Sequence, residues 1–299
     1  MFGIGVFQSS RGVMSDLEIM ASDGFALSAS RFDAVPSQRQ ARTVVINAAL
    51  GVPRQYYRTF AEYLADQGFD VITYDVRGNG QSRPGSLKGF EARMSDWACL
   101  DAPGVLDWAK SAWPENKLLA IGHSSGGQTM GLVPNIDLLD GFMAVAAIGG
   151  HDAHWAGLKY LPKRLILRLM WSVMMPGLAR LLGHYPGKRL GIADLPREVA
   201  LQWSRWCKHP DYLFSDASLD FAGYANFTAP ILAFSFHDDT YVSSHYHQSV
   251  IGRFKKADIT WRNLAPSDVG LKSIGHFGFF REPLRDNLWV EASDWLGKV

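Results

Sequence analysis

Apolar side chains recur along the chain with two alternating periods. The runs 42–49 and 117–123 are almost continuously apolar, which predicts strands covered on both faces. Between them, residues 55–68 place apolar side chains at helical spacing and end at a glycine. The alternation resumes at 230–239 and ends in a predicted helix at 281–299. Strands and helices in this order predict an α/β fold with a doubly wound, mostly parallel sheet.

Two segments do not follow this alternation of strands and helices. Residues 16–34 contain two short alternating runs, a pattern typical of an N-terminal β-hairpin, and residues 1–15 are expected to be a loose lead outside the core. Residues 151–226 carry helical patterns with large apolar side chains and prolines between two core strands. We therefore predict a core of residues 16–150 and 227–299, with residues 151–226 inserted as a helical cap over one end of the sheet.

Composition and charge narrow the class of protein. The 299 residues include 30 Lys and Arg and 29 Asp and Glu, and the resulting net charge of +1 indicates neither a nucleic acid nor an acidic partner. The two cysteines, Cys99 and Cys207, lie far apart without a CxxC pair, which favours a reducing cytoplasm over a disulfide framework. No apolar run reaches the roughly 18 residues of a membrane span. The first residues also lack the basic start and apolar core of a signal peptide.

A sharp turn with a nucleophile is the strongest local signal. The predicted strand 117–123 runs into Gly122-His123-Ser124-Ser125-Gly126, which fits G-x-S-x-G between a strand and a helix. The chain is strained in such a turn, and bulk two residues before or after the serine would strike a neighbouring strand or helix. The glycines select Ser124 as the nucleophile, because Ser125 would have His123 two positions before it. Ser125 instead offers its backbone N–H to a developing oxyanion.

A serine nucleophile needs an acid and a histidine that follow it in this order. After the predicted strand 231–236 come His237, Asp238 and Asp239, and His276 follows the last predicted strand. An imidazole can take the proton of the serine hydroxyl and return it to the leaving group near neutral pH, so we assign that role to His276. By order alone, either aspartate could orient the imidazole.

With these motifs the chain resembles the α/β-hydrolase superfamily over roughly residues 16–299, including its serine-peptidase and lysophospholipase-like branch with a helical cap. Three segments carry the resemblance most specifically. YDVRGNGQS at 74–82 is similar to the superfamily pattern D-x-R-G-x-G-x-S, and the other two segments are GHSSGG at 122–127 and GHFGFF at 275–280. GHFGFFR, together with LGIADLP and QWSRWC, is also similar to a subgroup known only as predicted hydrolases. The resemblance implies an α/β-hydrolase fold and a serine-dependent hydrolase.

The resemblance also assigns two further roles. DTYV matches the D-x-x-V pattern just beyond a strand, which favours Asp239 over Asp238 as the triad acid. The second oxyanion donor is expected in the loop after the first core strand. The superfamily has His-Gly there and this chain has Asn47-Ala48, so Ala49 is the expected donor and Leu50 is the neighbour to check.

Other residues with reactive side chains have structural interpretations. A turn below the site is expected to be held by charge and hydrogen bonding through Asp75, Arg77, Gly78 and Gly80. His151, Asp152 and His154 have side chains that could bind a metal, but a third or fourth ligand is not evident, so we predict no metal site. His123 is expected to line the pocket or to pack beneath it.

The predicted cap mixes basic and apolar side chains. This pattern suits an anionic lipid surface or an acyl chain, and it also suits cap helices that bury one face against the sheet, which is the interpretation we favour. Tryptophan surface in this segment favours an apolar acyl or aromatic group on the substrate over a sugar or peptide, through Trp155, Trp171, Trp203 and Trp206.

The sequence thus predicts a cytoplasmic serine hydrolase that cleaves a carboxylic ester or thioester with Ser124, Asp239 and His276. Two alternatives stay open: an acyltransferase with the same triad, and a non-catalytic binding module with this fold. The expected partner is a small-molecule ester, with no nucleic acid, no transmembrane segment and no cofactor. Neither the substrate nor the oligomeric state follows from the sequence.

Overall fold

An eight-stranded sheet forms the centre of the computed structural model, which describes residues 13–147, 165–166, 168–190 and 193–299. In chain order, the strands of these ranges are β1 (Met14–Met20), β2 (Ala26–Phe32), β3 (Arg42–Asn47), β4 (Asp70–Tyr74), β5 (Lys117–His123), β6 (Gly141–Val145), β7 (His184–Tyr185), β8 (Leu195–Pro196), β9 (Ile231–Phe236) and β10 (Ile259–Leu264). β7 and β8 form a separate antiparallel pair.

The strands of the large sheet follow the order β1-β2-β4-β3-β5-β6-β9-β10. β1 pairs antiparallel with β2, and β2 with β4, whereas every other neighbouring pair is parallel. From β3 the chain moves to β4 on one side and then returns to build β5, β6, β9 and β10 on the other. The predicted doubly wound, mostly parallel sheet is confirmed.

The N-terminal hairpin joins the edge of this sheet. β1 and β2 pair with Met14 opposite Phe32 and Met20 opposite Ala26. Because β1 begins at Met14, the last two residues of the expected lead 1–15 belong to the sheet. Residues 1–12 lie outside the described residues.

Burial explains the apolar runs. Every residue of β4, β6 and β9 is buried, and β5 exposes only Lys117. A parallel strand that is covered on both faces needs apolar side chains at successive positions, whereas a half-buried strand alternates. The central strands therefore present their carboxyl ends at one edge of a rigid layer.

The helices of the described ranges connect and cover these strands. They are α1 (Arg58–Asp66), α2 (Met94–Asp96), α3 (Ala102–Ala112), α4 (Ser125–Gln128), α5 (Met175–Leu182), α6 (Arg197–Cys207), α7 (Ala222–Asn226), α8 (Ser244–Ile251) and α9 (Val290–Lys298). Single π-helical turns precede three of them, at Trp97–Asp101 before α3, Met170–Met174 before α5 and Arg285–Trp289 before α9. None of the helices in the described ranges combines the length and apolar character that crossing a membrane requires.

The described part of the predicted cap is bonded to the core. Gln202 on α6 accepts a hydrogen bond from the Ser95 backbone N–H at 3.0 Å. The Tyr212 hydroxyl accepts another from Gln128 Nε2 at 3.0 Å. Residues 148–164 lie outside the described residues, and with them the expected boundary at 151, so the division into core and cap stays a prediction.

The tryptophans of this segment build its interior. The rings of Trp171 and Trp203 meet edge to face at 4.5 Å, and both side chains are buried. Trp206 is also buried and donates its indole N–H to Asp216 at 2.9 Å. These three side chains therefore pack between helices rather than forming an open apolar surface, and Trp155 lies outside the described residues.

Candidate active site

The turn between β5 and α4 carries Ser124 in a strained backbone. Its φ of 53° and ψ of −113° lie where residues other than glycine are rare. Hydrogen bonds on both sides hold this geometry, because the Ser124 N–H donates to the Val145 carbonyl at 3.0 Å and the Ser124 carbonyl accepts from Gln128 N–H at 2.9 Å. The structure therefore places this serine on a sharp bend at the carboxyl end of a central strand.

The flanking glycines are required by close backbone contacts. A Cβ on Gly122 would lie 2.5 Å from the Gly127 Cα, and a Cβ on Gly126 would lie 2.4 Å from the Asn47 carbonyl oxygen. Real Cβ atoms do not approach backbone atoms so closely. The sequence argument that bulk beside the turn would strike a neighbouring strand or helix agrees with these contacts.

Three predicted side chains meet at this turn. His276 Nε2 lies 2.9 Å from Ser124 Oγ, and His276 Nδ1 lies 2.7 Å from Asp239 Oδ2. The side chains of His276 and Asp239 are only 3% and 1% exposed. Residues separated by 152 and 37 positions in the chain thus form one hydrogen-bonded series that is shielded from solvent.

The hydrogen-bond partners of His276 determine which ring nitrogen has the proton. Ionised Asp239 can only accept, so the neutral His276 ring donates its Nδ1–H to that carboxylate and leaves Nε2 as an acceptor. Nε2 can then accept the proton of Ser124. Oδ1 of Asp239 accepts the backbone N–H groups of Tyr241 at 2.7 Å and Val242 at 3.0 Å, which holds the carboxylate in place.

Asp238, the other candidate acid, bonds to the loop that carries the histidine. Its carboxylate accepts from the N–H groups of Ile274 at 2.8 Å and Gly275 at 3.0 Å, and from the Ser273 hydroxyl at 2.9 Å. Burial raises the pKa of Asp238, but the bonds from Gly275, Ile274 and Ser273 outweigh it and lower the pKa below its ordinary value. The two adjacent aspartates therefore have different partners: Asp239 contacts the imidazole, and Asp238 contacts the backbone just before it.

A second imidazole lies beneath the first. His123 is fully buried, its Nε2 lies 2.9 Å from the His276 carbonyl oxygen, and its Nδ1 lies 2.9 Å from the Tyr57 hydroxyl. Because a carbonyl only accepts, the His123 proton is on Nε2, and Tyr57 donates to Nδ1. Burial, followed by the nearby His276, keeps the pKa of His123 well below its ordinary value, so the ring is neutral. Of the two positions expected for His123, the structure has the one beneath the site.

The hydrogen bonds of the Tyr57 hydroxyl bear on which backbone N–H can bind an oxyanion. The Ala49 N–H donates to the Tyr57 hydroxyl at 2.8 Å, so in this structure it is not free to bind an oxyanion. Among the described residues, the N–H groups of Leu50 and Ser125 have no hydrogen-bond partner. The expectation for Ala49 overlooked Tyr57, whose hydroxyl approaches from eight residues further along the chain.

The loop after β4 is held as the sequence predicted. Asp75 is fully buried, and its carboxylate accepts from Arg54 Nη1 at 2.7 Å and from the Gln81 N–H at 2.9 Å. Gly80 has a φ of 49°, and a Cβ there would lie 2.2 Å from this carboxylate. Arg77 binds Asp101 at 2.6 Å. These residues stabilise the turn and do not touch Ser124.

Sequence reasoning missed the aromatic side chains around the imidazoles. The Tyr241 ring lies 5.0 Å from the His276 ring and is half exposed. Tyr56 donates its hydroxyl to the Phe277 carbonyl next to His276. Tyr56 and Tyr57 lie in the segment 55–68, whose pattern predicts only a helix, and no local pattern indicates that their hydroxyls reach loops far away in the chain.

The possible metal ligands His151, Asp152 and His154 lie outside the described residues. Within the ranges that the structure describes, no three or more His, Cys, Asp or Glu side chains are grouped so that they could hold a metal ion.

Comparison with known proteins agrees with this architecture. Residues 43–134 match the family model of the alpha/beta hydrolase fold, a range that includes Ser124 but neither Asp239 nor His276. A search of the curated proteins finds no match.

Several solved structures are similar over almost the whole chain. Esterase Pf2001 of Pyrococcus furiosus is 16% identical, with 96% of this chain and 90% of that chain covered and a TM-score of 0.58. The alpha/beta hydrolase GrgF from Penicillium sp. sh18 is 16% identical, with 96% and 98% covered and a TM-score of 0.60. The esterase domain of a Rhodothermus marinus protein is 13% identical, with 96% and 99% covered and a TM-score of 0.53.

At these identities the likeness establishes the fold, while the lysophospholipase-like branch and the subgroup expected from the sequence stay predictions. The strand order, the Ser124 turn and the matched range agree with one another. The chain is therefore a protein of the α/β-hydrolase fold, as the sequence resemblance predicted.

Proposed function

We propose that the protein is a serine hydrolase that cleaves a carboxylic ester or thioester through an acyl-enzyme on Ser124. The observation that carries the proposal is the series from Ser124 Oγ through His276 to Asp239, with distances of 2.9 and 2.7 Å. Its tautomer has the acceptor nitrogen at the serine, as general-base catalysis requires. That two of the similar structures are described as esterases adds support.

In the first half of the reaction, Ser124 Oγ attacks the acyl carbon while its proton moves to His276 Nε2. The carbonyl π electrons move to oxygen, which becomes the oxyanion of a tetrahedral intermediate. Asp239 stabilises the imidazolium by accepting Nδ1–H. When the intermediate collapses, the C–O or C–S bond to the leaving group breaks, and Nε2–H protonates the departing alcohol or thiol.

In the second half, water attacks the acyl-enzyme and gives its proton to His276 Nε2. The second tetrahedral intermediate releases the carboxylic acid and returns the proton to Ser124 Oγ. Ser124 and His276 thus end as they began, and the net reaction adds one water across the acyl bond.

The oxyanion is proposed to bind the Ser125 N–H together with an N–H of the loop after β3. Leu50 is the better candidate in the present arrangement, because its N–H is unpaired among the described residues while that of Ala49 is bonded to Tyr57. Ala49 can serve only if its bond to the Tyr57 hydroxyl breaks. Donors of this kind usually contribute roughly 3 kcal/mol to the stability of the transition state.

The proposed substrate is a small ester with an apolar acyl or aromatic group, and residues 151–226 are proposed to cover its binding site as a cap. The described part of that segment is rich in apolar side chains, and Ala193 contacts the Gly51 turn next to Leu50. We expect hydrolysis of p-nitrophenyl esters with short to medium acyl chains.

A fluorophosphonate probe tests the proposal. We expect covalent labelling of the wild type and complete loss of labelling in Ser124→Ala. Ser125→Ala is the matched control, since it removes a hydroxyl one residue away that makes only a 3.5 Å contact with the Ala48 carbonyl, and it keeps the backbone N–H. Labelling should persist in this variant.

Two results would contradict the proposal. Labelling that survives in Ser124→Ala would move the nucleophile elsewhere, and a wild type that neither labels nor hydrolyses any ester of the panel would favour the binding module. Product ratios with added alcohols or thiols then separate hydrolysis from acyl transfer.

A further inference from the structure

One helical stretch exposes an unusual amount of apolar surface. Its described residues are 165–166 and 168–182, which include the π-helical turn Met170–Met174 and α5 up to Leu182. Seven of the twelve exposed large hydrophobic side chains in the described ranges lie on this stretch: Leu165, Ile166, Leu169, Val173, Met174, Leu181 and Leu182. Val173 is 58% exposed and Leu181 is 81% exposed.

The same stretch buries a different side. Trp171, Met175 and Ala179 are buried, and they recur at intervals of four, which places them on one helical face. Trp171 packs on Trp203 of α6, and its carbonyl accepts the Ser204 hydroxyl at 2.5 Å. The inner face therefore already has its protein partner. The exposed residues other than Leu182, which follows Ala179 by three positions and so lies on the inner side, are here called the outer stripe.

The same region of the sequence has an excess of basic residues. Residues 153–193 contain seven Lys and Arg, which are Lys159, Lys163, Arg164, Arg168, Arg180, Lys188 and Arg189, and no Asp or Glu. Because the whole chain has a net charge of +1, the remainder has −6. In the described part, Arg180, Lys188 and Arg189 are exposed, and they lie close to Leu181 in the sequence.

We propose that the outer stripe docks on the surface of an anionic lipid bilayer. Exposed Leu, Ile, Val and Met side chains enter the boundary between headgroups and acyl chains, while the neighbouring Arg and Lys side chains bind lipid phosphates. An isologous contact between two copies would instead bring two strongly cationic segments together, and like charges oppose such a contact. The helix lies on the bilayer and does not cross it.

The proposal is independent of the hydrolase chemistry, because no residue of the outer stripe contacts Ser124, Asp239 or His276 in the described structure. A Ser124→Ala protein should bind lipid as the wild type does. Failure of one proposal can therefore be distinguished from failure of the other.

Sedimentation with sucrose-loaded vesicles tests the docking. The full-length wild type is expected to pellet with vesicles of phosphatidylcholine and phosphatidylglycerol, and to bind vesicles of phosphatidylcholine alone about tenfold more weakly. Raising the salt concentration should weaken binding to the anionic vesicles, because the charges are screened.

Two double variants locate the contact. Val173→Ser with Leu181→Ser removes two exposed apolar side chains and should weaken binding at least tenfold, because binding strength scales with the apolar area that enters the bilayer. Met20→Ser with Val290→Ser is the matched control, since these side chains are 52% and 41% exposed but lie outside the stripe. The control should bind as the wild type does. Both proteins should keep the wild-type unfolding temperature, because all four side chains are exposed.

Three results would overturn the proposal: absence of pelleting with the anionic vesicles, equal binding to neutral vesicles, or undiminished binding of the Val173→Ser, Leu181→Ser protein. Sedimentation velocity adds a fourth. Concentration-dependent dimerisation that disappears in this variant, without vesicle binding by the wild type, would assign the outer stripe to a second copy of the chain.

Discussion

Replacing Asp239 with asparagine tests the proposed triad at the atom that sets the histidine tautomer. Oδ1 of Asp239 accepts two backbone N–H groups, from Tyr241 and Val242, and Oδ2 accepts from His276 Nδ1. An asparagine keeps its carbonyl oxygen toward the two N–H donors, because its NH₂ group cannot accept them. The NH₂ group must then face His276.

That orientation reverses the proton arrangement of the imidazole. Facing a donor, Nδ1 of His276 becomes the acceptor, so the neutral ring has its proton on Nε2 and points it at Ser124 Oγ, 2.9 Å away. A nitrogen that already has a proton cannot take another from the serine hydroxyl. The same change in serine proteases lowers kcat about 10⁴-fold, which corresponds to about 5 kcal/mol of transition-state stabilisation. We expect an effect of that order for Asp239→Asn.

The rate of fluorophosphonate labelling measures this effect without knowledge of the natural substrate. Asp238→Asn is the matched control, since it changes the adjacent carboxylate, which bonds to Ile274, Gly275 and Ser273 and not to the imidazole. We expect it to lower the rate less than tenfold. A rate in Asp239→Asn within tenfold of the wild type would refute the reasoning, and an equal loss in both variants would mean that loop position, not tautomer, controls the rate.

Two further predictions concern stability. His247 is fully buried, and burial lowers its pKa from the ordinary 6.5 to about 4, so the neutral ring stabilises the fold fully above pH 6.5 and this contribution falls as the pH drops toward 4. The shift in pKa corresponds to about 3 kcal/mol. Between pH 7 and pH 4, the free energy of unfolding measured in urea should therefore fall by about 3 kcal/mol less in His247→Phe than in the wild type. An equal fall in both proteins would contradict the assignment. Gly126→Ala should destabilise the protein by about 2 kcal/mol or more, because its Cβ would meet the Asn47 carbonyl, while Gly177→Ala, with nothing within 4 Å, should leave the free energy of unfolding unchanged or raise it.

The alternation of apolar periods was sufficient to predict the sheet, because covered parallel strands need apolar residues on both faces. The candidate triad was also accessible, since Ser124 and Asp239 lie just beyond predicted strands, His276 lies in the loop after the last one, and parallel strands end at the same edge. The choice between Asp238 and Asp239 could not come from this rule. Both follow β9, and only the three-dimensional path of the loop 273–276 decides which carboxylate reaches the imidazole.

The oxyanion donor shows a different limit. A backbone N–H has the same sequence signature at every residue other than proline, so the assignment of Ala49 depended on counting from a family motif. In the structure, the Ala49 N–H donates to the hydroxyl of Tyr57, which also binds His123. Such a bond depends on side-chain length and direction across a loop, neither of which has a period along the chain.

The segment 161–182 shows why exposure could not be predicted from pattern. The pattern places apolar residues on all sides of a predicted helix, so it is equally compatible with burial on either side. The contact of Trp171 with Trp203, a residue 32 positions later on another helix, selects the inner face. Once that face is occupied, most other large apolar side chains of the segment are exposed among the described residues, and the proposed bilayer would cover them. The excess of Lys and Arg in the same segment indicates that this bilayer is negatively charged.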